Sequence, residues 1–370
     1  MEVRPADARE LEAWDDLVVR PGGGHIYQSM AWARHRAASG WRPHHLVAAD
    51  GSAVLALERP WPVIGGSSAY LPRGPVPAGD AAAMARRLSA VTEWLAAHGV
   101  DVVATDAEVP AESGYGELIR ADGFRRIEEI QPSRHRMALP LGQRADEAGV
   151  LAGFTKATRQ RIRSAEAAGT LVDRHDALVA GETEPGDGFS LPGGAAAVAL
   201  DRFYDLLVET GERREFTLGP RERFTRWWQA ALEAGLLVLL EARSAGGEPL
   251  AGLVLHRHGG RLTTVHSADH AGLRRDHPGS LHLLRWRAIQ LAIREGCAEM
   301  DLGGVDVPGA RRPPVQGEPM YGLYEHKRSF GARWVELTGA HERAIRPARY
   351  RLGRLLAAVA RRGPGRGRPR

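Results

Sequence analysis

The chain has 370 residues, of which 43% are apolar and 26% charged, a balance that fits a globular protein long enough for two domains. Its formal charge of +5 hides a split: residues 343–370 hold ten arginines and no Asp or Glu, so the remainder carries +5 − 10 = −5. This distribution argues against a dispersed nucleic-acid-binding surface and leaves a local basic patch. One cysteine, Cys297, excludes an internal disulfide and fits a reducing cytoplasm. The start, MEVRPADARE, is charged from its second residue, so no signal peptide is expected. No apolar run approaches the ~20 residues of a membrane span.

Apolar periodicity predicts a helix over 7–20, with Leu11, Trp14, Leu17 and Val18 on one face, and a second helix from the segment His25–Trp32 through Arg36. Strands follow at 44–49 and 53–59. Two prolines and a glycine in Tyr70-Leu-Pro-Arg-Gly-Pro-Val76 predict a rigid turn, in which Arg73 reads as structural. A helix over 81–98, closed by Gly99, leads to a strand through Val100–Thr105. A second unit starts near Thr155 with a helix that is basic in its first half. Residues 181–195 are rich in Gly and Pro and read as a surface or disordered loop. Helices at 200–210 and 221–234 precede strands at 236–242, 249–257 and 261–268. A helix from Ser280 to Gly296 then leads to a strand at 297–302.

The two halves repeat an order. Helix, Gly99, strand, Asp106 corresponds to helix, Gly296, strand, Asp301. Tyr115-Gly116 stands nine residues before Phe124, as Tyr321-Gly322 does before Phe330. Such a pattern suggests duplication. Within the second copy lies Lys327, one of two lysines in a chain whose other 48 basic residues (50 − 2) are arginines. It reads either as a solvated residue on a helix turn or as a compact cationic donor. Six histidines fall between His256 and His282, but without cysteines and with few carboxylates nearby, no metal site is expected.

Several stretches together resemble the FemABX family of aminoacyl-tRNA-dependent peptidoglycan bridge aminoacyltransferases. They are Tyr27-Gln-Ser-Met-Ala-Trp32, Tyr70-Leu-Pro-Arg-Gly-Pro75, Thr158-Arg159 with Ile162, Ala165 and Gly169, Thr210-Gly-Glu-Arg213, Asp301-Leu-Gly-Gly304, and Leu323, Lys327 and Phe330-Gly331. Each half's ending is similar to a GNAT acyltransferase domain. The resemblance implies an α/β fold of mixed sheets in two tandem GNAT-like domains, without the long coiled-coil arm of some members. The first domain would span 1–148, joined by a C-terminal helix over 341–360. The second, catalytic domain would span 149–340, and 361–370 would form a disordered basic tail.

The implied reaction is transfer of an amino acid from aminoacyl-tRNA to an amine of a peptidoglycan precursor, nucleotide- or lipid-linked, or of a related peptide. No cofactor is implied, because the ester donor is already activated. The work would fall to the cytoplasm, with contact at the inner membrane face open. Lys327 would stabilise the oxyanion. Substrate contacts would come from Arg213, Arg36, His326, Tyr324 and His266. Arg213 also reads as a surface residue beside Glu212 and Glu215. Lys156, Arg159 and Arg163 would meet tRNA phosphates, or form an ordinary solvated face. His326 stands where the family usually has Phe, and Arg36 where a lysine is common. The competing enzyme is an acyl-CoA-dependent N-acyltransferase, although Arg274–Ser280 has one Gly where a pyrophosphate loop has several. A non-catalytic tRNA- or precursor-binding module is the third reading.

Overall fold

The computed structural model describes residues 1–76, 79–131, 134–142, 146–178, 184–214, 216–305, 307 and 311–362. The expected tail from 363 onward and the start of the expected loop, 181–183, lie outside the described residues. The chain divides into two compact units. One comprises Met1–His135 with the chain from Val335, the other Arg136–Trp334. The domain boundaries expected from sequence, 148/149 and 340/341, sit 13 (148 − 135) and 6 (340 − 334) residues further along than the observed ones.

The first unit is built on a seven-stranded sheet ordered Val3–Pro5, Arg42–Ala48, Ala53–Pro60, Ser67–Leu71, Val100–Thr105, His341–Ala344, Arg125–Arg126. Pairing is antiparallel except between Ser67–Leu71 and Val100–Thr105. That parallel pair needs a crossover, which helix Ala81–Ala97 supplies. Asp80 caps it by accepting from the Ala83 amide, and Met84, Leu88, Val91 and Leu95 recur at helical spacing as its buried face. Gly99, at φ 92°, ends it in the left-handed conformation. Helix Pro347–Arg362 belongs to this unit: the Tyr350 hydroxyl donates to Glu342, and Trp61 packs on Gly353 where no Cβ would fit.

The second unit carries an eight-stranded sheet ordered Arg333–Glu336, His135–Pro140, Glu299–Asp301, Arg261–Asp269, Pro249–His258, Leu237–Arg243, Leu171–His175, Gly188–Ser190. The first sheet thus takes in a strand from beyond its own run of sequence. His341–Ala344 follows the second unit yet pairs with Val100–Thr105, whereas His135–Pro140 opens the second unit and pairs there with Glu299–Asp301. Strand Arg261–Asp269 lies parallel to Glu299–Asp301 and shifts register against Pro249–His258 at Val254/Leu255. Helix Ser280–Arg294 provides the parallel crossover, burying Leu284, Ala288, Ile289 and Leu291. Phe154 packs edge-on against both Trp286 and Phe330.

Three local expectations are corrected. The helix over 7–20 is two, Ala8–Glu12 and Trp14–Val18, which meet at Ala13 where the backbone leaves the helical region (φ −95°, ψ 15°), and the Trp14 indole donates to the Gln28 carbonyl. The helix placed at 200–210 runs Gly194–Arg214, so Thr210 to Arg213 form its last turn rather than a following segment. Part of the supposed loop, Gly188–Ser190, is an edge strand parallel to Leu171–His175.

Candidate functional site

The second unit holds a cavity of about 450 Å³. One wall is the start of helix Ser280–Arg294, where Gly279 at φ 91° stands in the cap position with no side chain to close it; a Cβ there would run into the Arg161 carbonyl. Another wall is helix Tyr321–Arg328, through Gly322, Leu323 and His326. Arg161, Arg214 and Arg274 supply positive charge around it.

The carboxylate in the lining is Asp269, at the end of strand Arg261–Asp269. It is already bonded by two arginines: Arg213 Nη2 donates to Oδ1 at 2.8 Å, Arg274 Nη2 to the same oxygen at 2.6 Å, and Arg274 Nε to Oδ2. The cavity therefore keeps a positive excess after its acid is neutralised, which suits an anionic ligand.

His326 lies one residue before Lys327 and receives a hydrogen bond from Arg285 Nε at 3.2 Å. Burial, followed by the charges of Arg285, His282, Lys327 and Arg161, pushes its pKa down to about 2, so it is neutral. His282 stands edge-on to it at 4.6 Å and is held down at about 4, by burial and then by Arg161 and Arg285.

Lys327 is 5% exposed, and its ammonium is not part of the cavity lining. Nζ donates to the Gly303 carbonyl at 2.8 Å and the Gly304 carbonyl at 2.7 Å, just past strand Glu299–Asp301. This turn is shaped for the purpose. Asp301 Oδ1 accepts from the Gly303 amide at 2.8 Å, and Gly303 sits at φ 77°, where a Cβ would lie 2.6 Å from the Thr264 carbonyl. The bland reading of Lys327 as a solvated side chain is thereby replaced by a buried, clamped ammonium.

The other sequence candidates scatter. Arg213 reaches the cavity only through Asp269, whereas its neighbour Arg214 lines it. Tyr324 packs toward Trp334, 6.4 Å between rings, with Arg328 over its face. His266 is wedged between Phe224 and Trp228, where burial lowers its pKa to about 4. Arg159 turns back to the Ala152 and Phe154 carbonyls, while Lys156 and Arg163 are exposed on helix Lys156–Ala167. Arg36 belongs to the first unit, its guanidinium 5.4 Å from the Trp32 ring and 5.0 Å from Trp41. The residues the sequence reading did not single out are Arg285 and Arg214, while His282 and Arg274 entered it only within the histidine cluster and the Arg274–Ser280 stretch. Among the described residues no group of three His, Cys, Asp or Glu is arranged to hold a metal, and no helix is long and apolar enough to cross a membrane.

Residues 152–328 match the acetyltransferase (GNAT) domain family. The structure is similar to the crystal structure of FemX, with a TM-score of 0.74 at 19% identity, covering 95% of this chain and 99% of that one. It is also similar to L-PGS from Bacillus licheniformis, with a TM-score of 0.53 at 13% identity over 98% and 97% of the two chains. A third similar structure is a conserved protein of unknown function from Bacteroides thetaiotaomicron VPI-5482, TM-score 0.55, 11% identity, 92% and 98% covered. A search of the curated proteins found no match. The chain has a FemX-like tandem GNAT fold of mixed sheets.

Proposed function

Starting from that fold, we propose that the chain is an aminoacyltransferase that moves an amino acid from aminoacyl-tRNA to an amine of a peptidoglycan precursor or a related peptide, in the cytoplasm. The observation that carries this reading is the arginine-rich cavity walled by the helix that bears Lys327. Its excess of guanidinium over carboxylate suits a donor that carries phosphates. In the reaction the acceptor nitrogen bonds to the ester carbonyl carbon and the carbon–oxygen bond to the ribose breaks. The proton shed by the amine leaves with the ribose oxygen. No side-chain nucleophile is needed; alignment and stabilisation of the tetrahedral oxyanion are. We assign that stabilisation to Lys327, whose buried ammonium is fixed by the Gly303 and Gly304 carbonyls. Arg213 then acts by holding Asp269 in the cavity wall.

A second reading has a specific observation in its favour. The GNAT-family match and the glycine-opened start of helix Ser280–Arg294 at the cavity also suit an acyl-CoA, whose pyrophosphate binds at a helix N-terminus. The deciding experiment incubates purified protein with charged tRNA pools and precursor, with and without RNase, and reads products by mass spectrometry. RNase-sensitive aminoacylation supports the first reading. RNase-insensitive acylation that requires acyl-CoA overturns it.

A further inference from the structure

Arg285 sits on the core-facing side of helix Ser280–Arg294 and is 2% exposed. A guanidinium this deep ordinarily meets a carboxylate, because an uncompensated buried charge is costly. Among the described residues none pairs with it, and burial alone holds its pKa down at about 10. Its Nη1 is buried without a hydrogen-bond partner among the described residues. Among the described residues its hydrogen bond runs from Nε to His326 Nε2 at 3.2 Å.

That contact determines where the histidine keeps its proton. A guanidinium has donors and no acceptor, so His326 Nε2 must present its lone pair. A neutral imidazole with Nε2 bare carries its proton on Nδ1. His326 is a wall residue of the cavity, and Nδ1 is neither bonded to another described residue nor sealed from solvent. The ring plane is fixed as well, with His282 edge-on at 4.6 Å and Phe330 at 5.3 Å.

We infer that Arg285 is a positioning residue that locks His326 in the Nδ1–H form, making His326 a neutral hydrogen-bond donor to an acceptor oxygen of the ligand in this cavity. The depressed pKa of His326 agrees: the ring stays neutral through the physiological range and takes no part as acid or base. Where the FemABX pattern has a phenyl ring, which cannot donate, this chain offers a directed N–H. The donor therefore belongs to this chain's own specificity. The identity of the ligand as the acyl donor rests on the proposed function; the lock between the two side chains does not.

The lock is tested by long-range ¹H–¹⁵N correlation on histidine-labelled protein, with the His326 signals assigned by their loss in His326→Phe. The expected pattern is protonated Nδ1 and bare Nε2 at both pH 6 and pH 8, changing to Nε2–H or a mixture in Arg285→Met. A parent spectrum with Nε2–H, or one that Arg285→Met leaves unchanged, overturns it. Arg285→Met exchanges an unpaired buried charge for an apolar chain of similar length, so it is expected to fold at least as stably. His326→Phe strands the Arg285 Nε–H and is expected to lower the unfolding midpoint, which the double variant recovers. The donor role is read with a charged tRNA pool as the acyl donor. Arg285→Met is expected to raise KM for the donor up to ~10-fold with a smaller change in kcat, the worth of one hydrogen bond, and Arg285→Lys to restore part of it. An unchanged KM alongside a verified lock overturns the donor role. If the parent protein does not use charged tRNA, the proposed function falls while the spectra still decide the lock.

Discussion

Replacing Lys327 by Met keeps the length and much of the volume of the side chain and removes the ammonium. Two hydrogen bonds from a charged donor disappear, to Gly303 at 2.8 Å and Gly304 at 2.7 Å. Bonds of this kind contribute ~1.5–3 kcal/mol each, giving ~3–6 kcal/mol for the pair. The lower end is expected, because the cost of burying the ammonium vanishes with it. Urea unfolding followed by circular dichroism measures this loss as a lower midpoint at unchanged m-value. Oxyanion stabilisation is a separate quantity, and removing one donor costs ~10²–10³ in kcat. It is read by single turnover with preformed aminoacyl-tRNA at a temperature where the variant is folded. A folded Lys327→Met protein within threefold of the parent rate would refute the catalytic assignment. An unshifted midpoint would refute the clamp.

Gly303→Ala must hold a left-handed φ of 77° and push its Cβ against the Thr264 carbonyl, so a thermal melt is expected to show a loss of ~1–3 kcal/mol. Turnover should fall with it, since the Lys327 clamp shares that turn. Stability should rise with pH between about 4 and 6.5. His326, His282 and His266 stay neutral in the fold, while the unfolded chain protonates them near 6.5, so it binds more protons across that window. Urea midpoints at pH 5, 6 and 7 check this, with a slope of up to ~1.4 kcal/mol per pH unit for each histidine. Arg161→Gln and Arg214→Gln should leave stability within ~0.5 kcal/mol while each lowers the salt dependence of tRNA binding by a slope of about 1. Arg73→Met removes the guanidinium that lies 3.8 and 3.7 Å from the carboxylates of Asp106 and Glu108, and is expected to cost ~3–5 kcal/mol by chemical denaturation.

Local signals carried much of the fold. Helices Ala81–Ala97 and Ser280–Arg294 announce themselves by apolar spacing and a glycine after each end. Helix Gly194–Arg214 was underestimated because its first turns, Gly-Ala-Ala-Ala, carry no polar–apolar alternation. The return of strand His341–Ala344 to the first sheet is set by long-range pairing, which no window of sequence contains. At the site, Lys327 stood out as a rare lysine, whereas Arg285 was hidden among 48 arginines (50 less two lysines). Its position on the stripe of Leu281, Leu284, Ala288 and Ala292 was the available sign, a charge where the spacing calls for an apolar residue.

The two copies of the repeat surround their buried cations differently, and this bears on our assignment of the chemistry to the second. In the first unit, Asp106 ends its strand by accepting from the Arg73 amide at 2.7 Å and the Tyr70 hydroxyl at 2.9 Å, and the Arg73 side chain lies near two carboxylates. Charge there is met by charge, as a structural network requires. In the second unit, Asp301 ends the corresponding strand by shaping the Gly303 turn, and the ammonium of Lys327 donates to the Gly303 and Gly304 carbonyls of that turn. Counting back from Phe124 and Phe330, the first unit has Arg120 and Ala121 where the second has His326 and Lys327, and Arg120 is exposed and spent on Glu117. The second unit keeps a buried guanidinium, Arg285, whose partner among the described residues is the neutral His326 in the wall of a cavity whose acid is already neutralised. Positive potential left uncompensated in this way is what a developing oxyanion or an anionic donor can use.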